Sequence, residues 1–111
     1  MNDLSWKEFE RIELRVGTIL SAEIFKEART PAIKLSIDFG NDIGIRKSSA
    51  QITDHYLPEE LIGKQISAVV NFPKKQIGPM MSECLVTGFI QDDGSVILAV
   101  PDKVSKNGAR L

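Results

Sequence analysis

The stretch that decides the fold is ELRVGTILSAEIF, residues 13–25, in which apolar and polar side chains alternate over much of the length. A period of two is typical of a β-strand that buries one face. Gly17 lies inside this run, and a glycine inside a strand indicates a bulge or a bend. We therefore predict one long strand, bent near Gly17, that serves both halves of a curled sheet.

Four further stretches predict strands. The most regular is AIKLSIDF (32–39), whose apolar residues occupy alternate positions. The other three are IGIRKSSA (43–50), QISAVVNF (65–72) and CLVTGFI (84–90). The turn QDDGS (91–95) follows the last of them and leads into VILAV (96–100). Its Asp93-Gly94 pair favours a type I′ hairpin turn.

The N-terminal stretch predicts a short helix with an aromatic face. Ser5 and Glu8 have the spacing of a capping box, in which each side chain bonds the other residue's backbone N–H. Trp6 and Phe9 follow at helical spacing. A helix of one or two turns is unstable alone, so we expect this face to pack against another surface.

A second short helix is predicted over PEELIGK (58–64), where Pro58 suits the first helical turn and Gly63 the C-terminal cap. Three strands, a helix and two strands form the arrangement of the OB-fold, a five-stranded barrel. We therefore predict an all-β OB barrel with a short N-terminal helix, a short helix between strands three and four, and a C-terminal hairpin. Residues 1–111 would form a single domain.

Composition limits the possible functions. The chain has 111 residues, with 14 basic and 15 acidic side chains and a net charge of -1, whereas dedicated nucleic-acid binders usually carry a basic excess. The single cysteine, Cys84, excludes an internal disulfide and a cysteine-based zinc site. We expect no metal, cofactor or catalytic centre, since Cys84 and the only histidine, His55, show no nucleophile motif. The first residues lack an apolar signal core, and no apolar run could cross a bilayer, which predicts a cytoplasmic protein without membrane insertion.

The stretch NFPKKQIGPMMSE (71–83) is both apolar and basic, and no helical or strand period organises it, so we predict a loop. In an OB-fold it joins strands four and five, a position that commonly binds ligands. Methionine suits a surface that accepts many side chains. The candidate polypeptide-binding residues are Phe72, Pro73, Lys74, Lys75, Ile77, Met80 and Met81. The alternative is that these apolar side chains plug the end of the barrel.

Several stretches resemble a known family, the tRNA-binding OB domain of methionyl-tRNA synthetase tails and of small free-standing tRNA-binding proteins. They are ELRVGTI (13–19), PEELIGKQ (58–65), VVNF (69–72), Ser82-Glu83 and the final Asn107-Gly108 turn. Within that family, three stretches resemble CsaA, a group of export-related chaperones: EARTPAIKLSIDFG (27–40), SSAQI (48–52) and VNFPKKQIG (70–78). Departures from the tRNA-binding pattern at 25–31, 48–50 and 82–85 favour the same group.

The resemblance implies a homodimer without a catalytic centre that binds unfolded precursor polypeptides on the Sec export route, with the motor SecA as a possible partner. It also implies that residues 1–12 are a helical dimerisation extension, with Trp6 and Phe9 in the interface. The open alternative is tRNA binding by the same surface, which requires a basic rim and exposed aromatic rings. The candidate rim is Lys26, Arg29, Lys34, Arg46, Lys47, Lys74 and Lys75, and the candidate rings are Phe25, Phe39, Tyr56 and Phe72.

Overall fold

The computed structural model describes all residues, 1–111, as nine β-strands and two short helices. The helices are α1 (Trp6–Glu10) and α2 (Pro58–Leu61). The strands are β1 (Leu14–Ile24), β2 (Ile33–Asp38), β3 (Ile45–Ala50), β4 (Gln65–Val69), β5 (Lys75–Ile77), β6 (Met80–Ser82), β7 (Leu85–Val86), β8 (Gly88–Ile90) and β9 (Val96–Leu98). No helix of the chain is long enough and apolar enough to cross a bilayer.

Five antiparallel strands form a nearly closed barrel in the order β3-β2-β1-β4-β7, which confirms the predicted OB-like fold. The long strand β1 serves both halves, pairing with β4 through residues 14–18 and with β2 through residues 18–24. The irregularity in its pairing lies between Ile19 and Ser21, not at Gly17. At Gly17, a Cβ atom would approach Ile37 Cγ2 to 2.6 Å, so this glycine is required by close packing across the sheet.

The barrel closes where β3 meets the residues just before β7. The Glu83 N–H donates to the Lys47 carbonyl at 2.8 Å, and the hydroxyl of the buried Ser48 donates to the Cys84 carbonyl at 2.9 Å. Arg46 donates from Nη1 to the Val70 carbonyl at 3.1 Å and, more weakly, to that of Glu83 at 3.4 Å. These bonds join strands that are distant in sequence and hold the two ends of the sheet together.

The core fills the barrel with the apolar faces that the alternation predicts. Along β2 every second side chain is buried, and Phe39 continues this face beyond the strand. Ile19 of β1, Ile66 of β4 and Leu61 of α2 pack in the same cluster. Burial of each large apolar side chain contributes about 1.5–3 kcal/mol relative to exposure, so this cluster supplies most of the driving force for folding.

The capping box of α1 forms as predicted, with Ser5 and Glu8 each accepting a backbone N–H of the other. The helix buries none of its residues, and Trp6 is 78 % exposed, its ring edge-on to Phe9 at 6.1 Å between centroids. The end of the helix is held by polar bonds instead, including one of 2.6 Å from Asn71 Nδ2 to the Arg11 carbonyl. The aromatic face of α1 is therefore only partly covered, with Trp6 exposed and Phe9 half-buried.

Two local predictions are wrong in detail. Residues 71–83 contain a hairpin, β5–β6, because Gly78 adopts a φ of +55° and turns the chain within two residues. In the 91–95 turn only Gly94 has a positive φ (+87°), whereas a type I′ turn requires positive φ at both central residues. The Gly94 N–H donates to the Gln91 carbonyl at 2.9 Å, which makes a three-residue hairpin loop.

The predicted fifth strand divides into two strands with different partners. Leu85 and Val86 form β7 and pair with β4, whereas β8 pairs with β9 in a separate hairpin. Thr87 lies between them and bonds to Ser67 through both its backbone N–H and its hydroxyl. The change of partner at Thr87 leaves several side chains of the hairpin exposed, including Phe89, Ile90 and Ile97.

Candidate functional site

A groove of about 610 Å³ lies on the outer face of β2 and β3, beneath the β5–β6 hairpin. We call it the central groove. Its floor comes from the strands and its wall from the hairpin and the adjoining residues. The lining residues are Ser21, Glu23, Lys34, Leu35, Ser36, Lys47, Lys74, Pro79, Met80, Met81 and Glu83.

Strand register places the polar residues of the floor side by side. Ser36 of β2 is paired with Lys47 of β3 on one side and with Ser21 of β1 on the other. Lys34 is paired with Glu23 of β1 in the same way. Because side chains alternate across a strand, these polar residues share the outer face while their neighbours fill the core. The floor of the central groove is therefore polar and continuous over three strands.

Each of two lysines in the central groove is matched to a carboxylate. Lys34 Nζ lies 3.1 Å from Glu23 Oε1, and Lys74 Nζ lies 3.5 Å from Glu83 Oε2. Glu83 also accepts the Lys47 N–H through Oε1 at 3.0 Å, so its carboxylate is fixed in place. The Lys47 ammonium has no carboxylate within bonding distance. With three lysines and two glutamates, the lining of the groove carries a net charge of +1.

The β5–β6 hairpin presents its two methionines to different surroundings. Met80 is only 9 % exposed and packs with Phe25 and Ala32 in a small second core, against which Ile77 is partly buried. Met81, which follows it, is 42 % exposed on the wall of the central groove. A nearly buried side chain offers little contact area to a ligand, so Met80 supports the hairpin and Met81 faces the solvent.

A second depression of about 400 Å³ lies on the other side of the same segment. We call it the Phe72 pocket, after a side chain that is 54 % exposed there. Lys74 lines both depressions, which are therefore adjacent. The lining residues of the pocket are Phe72, Pro73, Lys74, Lys75, Ser82, Cys84 and Leu85. Its walls are mostly apolar, with two lysines among the lining residues.

The structure brings only some of the predicted basic rim together. Lys34, Lys47 and Lys74 line the central groove, and Lys75 lines the Phe72 pocket. Arg46 does not join them, since it is paired with the core residue Ile37 and bonds the carbonyls that close the barrel. The remaining two residues, Lys26 and Arg29, are exposed on the loop between β1 and β2 and line neither depression.

Only one of the four candidate stacking rings, Phe72, is exposed. Phe25 and Phe39 are buried. Tyr56 is partly buried against the core, and its hydroxyl accepts the Leu98 N–H at 3.0 Å. Phe25 also lies under the Lys34 ammonium, at 5.4 Å from the ring centroid. Phe72 is thus the ring of the four that offers the most surface to a ligand.

Cys84 and His55 are engaged separately. Burial raises the pKa of the Cys84 thiol to about 11, and its Sγ lies 3.9 Å from the Lys47 carbonyl. His55 Nε2 lies 2.7 Å from Ser95 Oγ, which in turn donates to Asp93 Oδ1 at 2.6 Å. The pKa of Asp93 is lowered, mainly by the bond from Ser95, so the hydroxyl proton points to a carboxylate. His55 must then be the donor to Ser95, and a donor cannot accept that proton as a base.

Sequence reasoning missed the two acidic members of the groove. Glu23 reaches Lys34 only through the register of β1 and β2, and Glu83 reaches Lys47 only through closure of the barrel. Neither relationship has a local signal in the sequence. The alternation on β1 and β2 could have placed Glu23 and Lys34 on outer faces, but not opposite each other.

Comparison with known proteins places the chain in a family. A family model of the tRNA binding domain matches residues 14–110. The methionine–tRNA ligase of Porphyromonas gingivalis is 32 % identical over 99 residues, which is 89 % of this chain and 14 % of that protein. The methionine–tRNA ligase of Chlorobium chlorochromatii is 31 % identical over 105 residues, again 14 % of its length. The chain thus spans about one seventh of the curated relatives that it matches.

Solved structures of similar length match nearly the whole chain. The chaperone CsaA of Bacillus anthracis is 48 % identical, with a TM-score of 0.93 and 99 % coverage of both chains. The CsaA chaperone protein of Picrophilus torridus is 49 % identical, with a TM-score of 0.91, covering 98 % of this chain and 99 % of that one. A methionyl-tRNA synthetase-related protein of Pyrococcus horikoshii is 32 % identical, with a TM-score of 0.88, 100 % coverage of this chain and 99 % of that one. This chain belongs to the tRNA-binding domain family, and CsaA chaperones are among its structural neighbours.

Proposed function

We propose that this protein is an export-related, CsaA-like chaperone that binds unfolded precursor polypeptides as a homodimer and has no catalytic centre of its own. The observation that carries the proposal is the pairing of two exposed apolar side chains, Phe72 and Met81, with a groove whose charges nearly cancel. Unfolded chains share exposed apolar residues and backbone amides rather than a common shape. A surface that offers apolar contacts beside hydrogen-bonding groups suits such a ligand.

The central groove and the Phe72 pocket supply complementary halves of that surface. The groove offers hydroxyls and ammonium groups to a peptide backbone, and Met81 adds a flexible, polarisable contact on its wall. The Phe72 pocket offers mostly apolar walls beside the same Lys74. An extended segment lying across both would bury Met81 and Phe72 together. Support also comes from the whole-length similarity to two CsaA chaperones.

The homodimer is proposed from the exposed aromatic face of α1. The exposed Trp6 and the half-buried Phe9 form an edge-to-face pair, and Leu4 beside them is also exposed. Exposed apolar patches of this kind mark interaction surfaces in soluble proteins. A second copy of the chain is the partner that we propose for residues 1–12, and SecA is a possible further partner of the loaded dimer. The proposed role belongs in the cytoplasm, where precursors are made.

The second candidate function is tRNA binding, which the family match favours. The three lysines of the central groove could follow a phosphate backbone. Two features weigh against it as the main function. Phe72 alone remains as an exposed stacking ring of the four candidates, and two carboxylates stand among the lysines. A polyanion would meet repulsion from both.

The test is a competition experiment. A fluorescein-labelled peptide, uncharged and rich in leucine, is bound to the purified protein, followed by anisotropy, and challenged with unfractionated tRNA. We expect the peptide to bind and tRNA to displace it poorly at physiological salt. Binding of tRNA without any binding of peptide would refute the chaperone proposal.

A matched pair of variants locates the peptide site. We expect F72S/M81S to weaken peptide binding by about tenfold, because losing two exposed apolar contacts of about 0.7 kcal/mol each removes about 1.4 kcal/mol. The control L57S/I62S removes two similarly exposed side chains at α2, away from both depressions. Equal binding by the two variants, both folded, would show that the peptide lies elsewhere.

A further inference from the structure

We propose that Ser21, Ser36 and Lys47 form a subsite of the central groove that binds the side-chain carboxylate of an aspartate or glutamate in the bound polypeptide. The inference rests on the proposed function, since it specifies which polypeptide segments the groove prefers. Its basis is a row of three donor side chains that crosses three strands at one register. We call these three residues the donor row.

Strand pairing brings the members of the donor row together. Ser36 of β2 is paired with Ser21 of β1 on one side and with Lys47 of β3 on the other. The Lys47 N–H and carbonyl both bond to Glu83, so Lys47 and Ser36 form a pair without mutual backbone bonds. The Cα atoms of such a pair lie only about 4.5 Å apart. All three side chains line the central groove, so they share its floor.

None of the three donors is used within the chain. The serine hydroxyls that make hydrogen bonds belong to serines other than Ser21 and Ser36. No carboxylate lies within bonding distance of the Lys47 ammonium, whereas Lys34 and Lys74 each have one. The donor row therefore offers two hydroxyls and one ammonium to a ligand.

These donors match the chemistry of a carboxylate. Its two oxygens can accept about four hydrogen bonds, which is enough for an ammonium and two hydroxyls. Bonds between ionised partners are also stronger than bonds between neutral ones. A carboxylate bound at Lys47 would cancel the net charge of +1 on the lining of the groove. Charge complementarity thus favours a ligand that brings a single negative group.

The surroundings of the donor row indicate a polypeptide as the source of that group. Met81 is 42 % exposed on the wall of the same groove. An acidic residue of an unfolded chain has apolar neighbours along the chain that could contact Met81 while the carboxylate bonds to Lys47. A nucleic acid would bring bases instead, and no aromatic ring lines the groove for a base to stack on.

The test compares two peptides that differ by one group. Both are rich in leucine, carry the same fluorescein label and have an amidated C-terminus, but one has aspartate at its centre and the other asparagine. The amide has nearly the size of the carboxylate, so the difference in affinity reports the charge. Anisotropy measures binding to the unmodified protein, to K47M and to the control K64M. Each variant removes one positive charge, but Lys64 is exposed and lines neither depression.

We expect the unmodified protein and K64M to bind the aspartate peptide about fivefold more tightly than the asparagine peptide, the upper range for an exposed ion pair. K47M should bind the two peptides equally. Equal binding of both peptides by the unmodified protein would overturn the proposal, and this comparison needs no variant. A preference for aspartate that persists in folded K47M would overturn it as well.

The hydroxyls and the rival ligand are tested in the same assay. We expect S21A/S36A to reduce the preference for aspartate to about twofold, and a preference that stays at fivefold would overturn the three-residue subsite. Unfractionated tRNA is the rival ligand. If K47M binds tRNA more weakly than K64M does, while the unmodified protein binds both peptides equally, the donor row serves a nucleic acid and the proposal is wrong.

The two peptides also separate this inference from the proposed function. If the unmodified protein binds both peptides equally, the proposed function stands and only the carboxylate subsite fails. If it binds neither peptide, the proposed function fails and the subsite fails with it.

Discussion

Two hydrogen bonds join Lys47 and Glu83: the Glu83 N–H donates to the Lys47 carbonyl at 2.8 Å, and the Lys47 N–H donates to the side-chain Oε1 of Glu83 at 3.0 Å. This pair closes the barrel between β3 and β7. It also places a carboxylate in the central groove, 3.5 Å from Lys74. One residue therefore contributes both to the fold and to the electrostatics of the candidate site.

The double role of Glu83 predicts an effect on stability. We expect E83A to lower the free energy of unfolding by about 1–2 kcal/mol, since the Lys47 N–H loses a charged acceptor. The control E23A removes an exposed ion pair and should change the free energy of unfolding by at most about 0.5 kcal/mol. Urea denaturation followed by circular dichroism measures the free energy of unfolding of both variants. Equal stability of the two variants would mean that the bond does not help to close the barrel.

The two methionines should separate stability from binding. We expect M80A to lower the free energy of unfolding by about 2–4 kcal/mol, because it empties part of the small core around Phe25. M81A should leave stability within about 0.5 kcal/mol and weaken binding of the uncharged peptide. The reverse pattern would show that Met80, not Met81, is the exposed member of the pair in solution.

The burial of Cys84 predicts a loss of stability at alkaline pH. Its pKa is raised from 9.0 in the unfolded chain to about 11 in the fold, so the native state favours the protonated thiol. Above pH about 9 the unfolded chain releases this proton first, and stability falls until pH about 11. We expect a decrease of up to about 2–3 kcal/mol beyond that of C84A over the same range. If the free energy of unfolding falls equally with pH in the unmodified protein and in C84A, the loss of stability does not come from the Cys84 thiol.

The exposed face of α1 predicts the oligomeric state. We expect the protein to sediment as a dimer of 12.3 kDa subunits at micromolar concentration, and W6S/F9S to sediment as a folded monomer. The control I62S replaces an exposed isoleucine at the end of α2 and should remain dimeric. Sedimentation of the unmodified protein as a monomer would refute the proposed role of residues 1–12.

Much of the fold could be predicted because its signals are local. Each of these signals depends on residues only a few positions apart. They are the alternation in β1 and β2, the capping box at Ser5, and the proline and glycine at the ends of α2. The β5–β6 hairpin could not be predicted, since three-residue strands are too short to show a period. The different surroundings of Met80 and Met81 follow only from the hairpin.

The candidate site was predictable in its location but not in its charge. The OB-fold directs attention to β2, β3 and the segment before β7, and the lysines there are visible in the sequence. Their acidic partners depend on long-range pairing. The position of Glu23 opposite Lys34 depends on the register of β1 and β2, which shifts between Ile19 and Ser21. The position of Glu83 depends on closure of the barrel, where it bonds to Lys47. Arg46 was misplaced for the same reason, since the face it occupies depends on its pairing with β2.

The central claim is that unfolded polypeptide lies along the central groove, against Met81 and the outer face of β2 and β3. Its most direct test is the change in backbone amide chemical shifts of isotope-labelled protein when the uncharged peptide is added. We predict the largest changes at Ser36, Lys47, Met81 and Glu83, with small changes at α2. Changes confined to α2 or to the β8–β9 hairpin, with the groove residues unaffected, would contradict the account.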